Sequence, residues 1–95
     1  MAATVEEITI NFEDKDGTLL VKELDKKILS KGAWATIMYK YQDLDKASGD
    51  YKKPKFSLRR YQKVNGEFRS KSKFNISSDD QARMIIDTLN GWVAE

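Results

Sequence analysis

KKPKFSLRRYQKVNGEFRSKSK, residues 52–73, decides how the chain is read. It carries nine basic residues (Lys52, Lys53, Lys55, Arg59, Arg60, Lys63, Arg69, Lys71 and Lys73) against one acid, Glu67, for a net charge of +8. The whole chain is only +2, so everything outside this stretch sums to −6. Residues alternate in polarity on both sides of Asn65-Gly66, a dipeptide that favours tight turns, so the stretch reads as a β-hairpin with strands over 55–64 and 67–76. Like charges facing each other across a hairpin repel. A strand pair this basic therefore implies a surface built to meet negative charge.

The register of that hairpin decides which side chains share a face. A two-residue loop pairs Lys63 with Phe68 and Arg60 with Lys71, which mixes basic and apolar residues, and a slip of one residue inverts every side chain. A three-residue loop, 64–66, pairs Lys63 with Glu67, Tyr61 with Arg69, Arg59 with Lys71 and Phe56 with Phe74. One face is then basic with Tyr61 in its middle and the other is largely apolar, with Gly66 in the left-handed position of a type I turn with a bulge. The three-residue loop is the expectation. It gathers Arg59, Tyr61, Lys63, Arg69, Lys71 and Lys73 together and turns Arg60 to the opposite face.

Working outward, residues 33–44 (AWATIMYKYQDL) are rich in β-branched and aromatic residues and read as a strand, separated from the hairpin by a polar loop over 45–54 that holds Gly49 and the only proline, Pro54. Lys31-Gly32 is a turn. Residues 18–30 have apolar positions at 21, 24 and 28 that also suit a helix, but their place between two turns favours a strand. Asp16-Gly17 makes a further hairpin turn, preceded by a strand over 5–12 with Ile8, Ile10 and Phe12 on one face. Residues 1–4 read as a loose end.

Downstream, Ser78 with Gln81 forms a capping box, Ser77 with Asp80 being the competing pair. Asp79 and Asp80 suit the positive end of a helix dipole. Ala82, Ile85, Ile86, Leu89, Trp92 and Val93 follow on one helical stripe over 77–93, with Asn90-Gly91 as a candidate end. Ordinary core packing is the first expectation for this stripe. A dimer interface built on Ile85, Leu89 and Trp92 is the sharper one. The fold class is α+β: a single domain over 1–95, with an antiparallel sheet of four to five strands over 5–76 and one C-terminal helix. A single-layer sheet with one helix leaves a face to cover, which invites a second copy or a ligand.

Composition narrows the function. The chain has no cysteine and no histidine, which removes thiolate chemistry, disulfides, the commonest general base and the commonest transition-metal ligand, so an enzyme is not expected. Asp43, Asp45, Asp50 and Glu67 match no calcium loop, and no glycine-rich phosphate loop occurs, so neither a metal nor a small-molecule cofactor is expected. No apolar run spans a membrane and no secretory leader is visible, which suits a cytoplasmic protein. Lysine and arginine neutralise phosphates and an aromatic ring among them can stack a base. The expected interface for nucleic acid is therefore Lys40, Tyr41, Lys53, Lys55, Arg59, Tyr61, Lys63, Arg69, Lys71 and Lys73. It needs exposed aromatics on the basic face, and a Tyr61 buried away from the lysines would end this reading. A protein-interaction module whose basic hairpin docks an acidic partner is the alternative, and a charged strand face that only meets solvent is the plainest reading.

Three short motifs sharpen this. Leu58-Arg59-Arg60-Tyr61, then Gly66-Glu67-Phe68-Arg69, then Lys73-Phe74-Asn75-Ile76-Ser77 leading into a helix resemble the positive cofactor 4 family of transcriptional coactivators, including its small bacterial and phage members. Upstream, Lys22-Glu23-Leu24 through Lys31-Gly32-Ala33-Trp34 is similar to the family's first hairpin. The resemblance spans about residues 20–92. It implies a homodimer of strongly curved sheets whose grooves take single-stranded nucleic acid, DNA favoured, with Arg59, Tyr61 and Lys73 as groove residues and the helices helping to build the dimer. It also implies a role in transcription or DNA maintenance, at the nucleoid in a bacterium. Gln62 stands where the family often has tryptophan, and residues 1–17 have no counterpart.

Overall fold

The computed structural model describes residues 3–94. A five-stranded antiparallel sheet in the order β1-β2-β3-β4-β5 is followed by one helix. The strands are β1 (Phe12–Glu13), β2 (Leu19–Ser30), β3 (Trp34–Asp43), β4 (Lys55–Val64) and β5 (Glu67–Ile76), and the helix is α1 (Asp79–Val93). The α+β class holds, with the sheet curled into a half-barrel. Among the described residues no helix is long and apolar enough to cross a membrane.

The curl has a local cause. Strand β2 slips register between Glu23 and Asp25 and again between Ile28 and Ser30. Each slip leaves one extra residue, Leu24 or Leu29, and a bulge bends a strand and increases its twist. The bulges also explain why the apolar positions of β2 do not alternate. Val21, Glu23, Lys26 and Ile28 lie opposite Asp43, Tyr41, Tyr39 and Ile37, and residues directly opposite share a face.

The basic hairpin closes with a two-residue loop, not the three-residue loop expected from the sequence. Val64 pairs with Glu67 and Lys63 with Phe68, while Asn65 (φ 52°) and Gly66 (φ 80°) both take left-handed backbone. The objection to this loop was that it mixes faces. A bulge answers it: Tyr61 pairs with Ser70 but Arg60 pairs with Ser72, so Lys71 is the extra residue and parity is restored beyond it. Arg59 then faces Lys73, Leu58 faces Phe74, and Phe56 faces Ile76 rather than Phe74.

The core lies on the inner face of the curl. Ala35, Ile37, Tyr39 and Tyr41 of β3 are buried there with Tyr61 of β4 and Phe68 of β5. Their cover is the N-terminal segment, not the helix. Residues 5–12 do not form a strand: Val5–Glu7 is a single 3-10 turn, the chain runs extended over 8–11, and only Phe12–Glu13 pairs with β2. Val5, Ile8 and Ile10 pack into the core, whereas Phe12 stays exposed. Ala3 and Thr4, expected in a loose end, bond to Oε1 of Glu7 through their backbone N–H groups and the Thr4 hydroxyl. These bonds, the threonine side chain first, hold the Glu7 carboxyl below its ordinary range. Residues 1 and 2 lie outside the described residues.

The arm over residues 3–11 is tied down by side chains. Lys26 reaches through the inner face and its Nζ donates to the carbonyls of Val5 (3.3 Å), Glu6 (3.0 Å) and Ile8 (2.6 Å). Glu23 accepts from the Thr9 hydroxyl and the Ile10 N–H, and its own N–H donates to Asn11 Oδ1. Lys31 pairs with Glu6 at 2.7 Å and holds that carboxyl below its usual range. Burying three aliphatic side chains contributes about 1.5–3 kcal/mol each. Fixing each residue of backbone opposes this by about 1–2 kcal/mol, so the arm depends on its polar ties as well.

The helix departs most from expectation. Ser78 caps it, accepting from the Gln81 N–H at 3.1 Å, while Gln81 Oε1 accepts from Ser77 N–H rather than closing back on Ser78. It runs through Asn90 and Gly91 to Val93. It buries none of its residues: Ile85 is half-buried, Leu89 is 50% exposed and Trp92 is 68% exposed. The stripe is therefore not core within one chain, because α1 meets the sheet chiefly at β5. The radius of gyration, 15.2 Å, exceeds the about 12 Å of a compact chain this long.

Two outcomes follow from this packing. Gly66→Ala places a Cβ where nothing lies within 4 Å, so the effect is backbone strain alone, and urea unfolding should show a loss of about 1–2 kcal/mol. Tyr39→Phe removes the 3.3 Å hydrogen bond shared by the Tyr39 and Tyr61 hydroxyls and should lower stability by about 1 kcal/mol in the same assay.

Candidate nucleic-acid interface

The bulge at Lys71 sorts the basic residues. On the inner face lie Lys55, Arg59, Lys63 and Lys73, opposite Tyr41, Ile37, Phe68 and Arg59 respectively. On the outer face lie Lys40, paired with Phe56, and Arg69, paired with Gln62. Lys71 is the bulged residue between them. The expectation that Arg69 and Lys71 share the face of Arg59 and Tyr61 is thus corrected: the extra residue rotates the turn end of β5 against its far end. Arg60 falls on the outer face, as expected.

Each cation has a distinct setting. Lys40, Lys53, Lys63, Arg69, Lys71 and Lys73 are exposed. Half-buried Arg59 donates from Nε to Ser57 Oγ at 3.1 Å, and that fully buried hydroxyl donates to Asn75 Oδ1 at 2.7 Å. A cross-strand chain of hydrogen bonds thereby fixes the guanidinium along the inner face. Lys63 Nζ stands 5.7 Å from the Phe68 ring centre. Lys55 is paired with Asp43 at 3.4 Å. Lys52, Lys53, Lys55 and Arg83 line a cleft of about 370 Å³ at the start of α1.

The aromatic residues require the main correction. Tyr61 and Tyr41 were expected as rings open to a base, yet each is only 6% exposed. Tyr61 shares the inner face with Arg59 and Lys63 as expected, and Tyr41 lies there opposite Lys55, but Val5, Ile8 and Ile10 of the arm join both in one apolar cluster. Burial pushes the hydroxyl of neighbouring Tyr39 well above the usual phenol range, and the Tyr61 hydroxyl adds to the shift. Tyr51 is occupied too: its hydroxyl donates to the Leu19 carbonyl at 2.8 Å and Lys22 Nζ lies 5.1 Å from its ring centre.

The exposed aromatic beside the cations lies outside the interface expected from the sequence. Trp34, on the outer face opposite Gln62, is 42% exposed, and the Arg60 guanidinium carbon sits 4.6 Å from its ring centre. The signal lies in the β3–β4 register, which places Arg60 diagonal to Trp34, and alternation within either strand alone does not report it. Phe74 and Met38 are exposed on the same face.

Among the described residues no group of three or more acidic side chains is placed to hold a metal ion. No family model matches the chain, and no curated protein and no solved structure matches it either.

Proposed function

We propose that this chain binds single-stranded nucleic acid, DNA in preference to RNA, along the β4–β5 ribbon, as a non-enzymatic cofactor of transcription or DNA maintenance. The observation that carries this reading is charge without counter-charge. Among the described residues, Lys55 alone of the nine basic residues in 52–73 has a carboxylate partner. A ribbon that keeps Lys63, Arg69, Lys71 and Lys73 exposed and unneutralised attracts a polyanion over its whole length. The motifs that resemble the positive cofactor 4 family support the same reading, which sets the protein in the cytoplasm or, in a bacterium, at the nucleoid. Trp34, with Arg60 across it, offers an aromatic surface open to a base.

A second reading has its own support. The arm is an acidic peptide seated on this sheet through Lys26 and Lys31, and an acidic protein docked on the ribbon cations would be held in the same way. Fluorescent single- and double-stranded oligonucleotides titrated at two salt concentrations separate the two. Single-strand binding at low salt is expected, with log affinity falling linearly with log salt. Lys71→Ala and Lys73→Ala should each shallow that slope by about 0.7. No binding of a single strand at low salt would leave the protein-docking reading standing.

The partner in assembly is a second copy of the chain. Met84, Ile85, Leu89 and Trp92, with Gln81 and Thr88, line an open groove of about 440 Å³ on a helix that buries nothing in its own chain. A self-complementary contact between two such faces covers both at once. Sedimentation should show a dimer for the parent chain and a monomer for Leu89→Asp with Trp92→Asp, with the strand signal in circular dichroism kept. A monomeric parent at 100-fold higher concentration would refute the dimer.

A further inference from the structure

The arm does to the inner face what a bound strand would do. It lays an acidic chain over it: residues 3–11 carry Glu6 and Glu7 and no basic residue. Its oxygens satisfy cations of the sheet, since Lys26 Nζ is held by the carbonyls of Val5, Glu6 and Ile8 and Lys31 Nζ by the Glu6 carboxylate. Its side chains fill the place of bases, since Val5, Ile8 and Ile10 pack in the cluster of Tyr39, Tyr41, Tyr61 and Phe68. Between the 3-10 turn and β1, residues 8–11 carry no strand ladder, and every tie to the sheet there runs through a side chain. A segment held this way opens more readily than a laddered strand.

We propose that the arm is a built-in competitor for single-stranded nucleic acid. When it lifts, it uncovers a second binding surface on the inner face, where Tyr39, Tyr41, Tyr61 and Phe68 form a stacking platform flanked by Lys26, Arg59 and Lys63. The proposal rests on the reading of the chain as a single-strand binder and adds the regulation of that site. Binding in the arm-closed state uses the exposed cations of the ribbon alone. Binding in the arm-open state adds base stacking on the uncovered rings.

The chain has no cysteine, so the arm can be pinned selectively. Thr9→Cys with Glu23→Cys replaces a pair whose side chains meet at 2.7 Å, and a short bismaleimide joins the two thiols. Affinity for a fluorescent oligothymidylate is then measured at fixed low salt before and after cross-linking. The cross-linked protein should bind about tenfold more weakly, which corresponds to the loss of about one stacked base. In the converse variant, Ile8→Ser, the arm anchor is weakened with every cation kept, and binding should tighten. Equal affinity with and without the cross-link overturns the arm as competitor while leaving single-strand binding intact. Absence of binding by the uncross-linked parent overturns both. Should Ile8→Ser fail to fold, the cross-linked pair alone decides.

Discussion

A single-layer sheet has two faces, and this chain has one helix that covers neither. The inner face must still leave water, because Ile37, Tyr39 and Tyr61 carry too much apolar surface to stand open. That requirement falls on a short N-terminal arm and, within the arm, on Lys26. Its ammonium enters from the sheet side and donates to the carbonyls of Val5, Glu6 and Ile8. A charged group under an apolar cover is stabilising only when its donors are matched, and here they are. The burial of the tyrosines and the seating of Val5, Ile8 and Ile10 depend on that match.

The second constraint is parity. A two-residue turn at Asn65-Gly66 suits strand twist better than a longer loop, because two left-handed residues rotate the chain in the sense the strands already follow. It also sets Phe68 on the inner face, where the core needs it, but it would carry Phe74 there too. The bulge at Lys71 resolves the conflict. It lets Phe68 point inward near the turn and Phe74 point outward beyond it. The basic residues are distributed as a by-product, so Arg59 and Lys73 meet on one face while Arg69 turns to the other.

Much of this was legible in the sequence. Strands β4 and β5 fall where alternation places them, the polar loop and the helix start are in place, and Ser78 is the cap. What alternation cannot carry is an inserted residue: one bulge at Lys71 inverts the faces of half a strand, and two bulges in β2 make a strand resemble a helix. The site was half legible for the same reason. Arg59, Tyr61, Lys63 and Lys73 do share a face, but nothing local in residues 55–76 reports that residues 5–10 lie over it. The pattern Val5, Ile8, Ile10 contained the hint, since its first interval is helical and its second is extended, which is how a turn followed by an unpaired segment reads.

A core of three tyrosines is itself an argument about purpose. Each hydroxyl must be solvated or bonded when its ring is covered, and the bond available between Tyr39 and Tyr61 is 3.3 Å long, beyond the 2.7–2.8 Å typical of hydroxyl pairs. Leucine or phenylalanine at these positions would bury as much apolar surface with no polar group to accommodate. The proposed alternation between cover and contact with a polar, aromatic ligand gives the hydroxyls a use that permanent cover does not. The same holds for the cover. An arm meant only as core would do better as a laddered strand of β-branched residues than as an acidic segment held by lysine and glutamate side chains. On the proposed reading, the inner face is a surface that two occupants share, and the arm is the one that the chain carries with it.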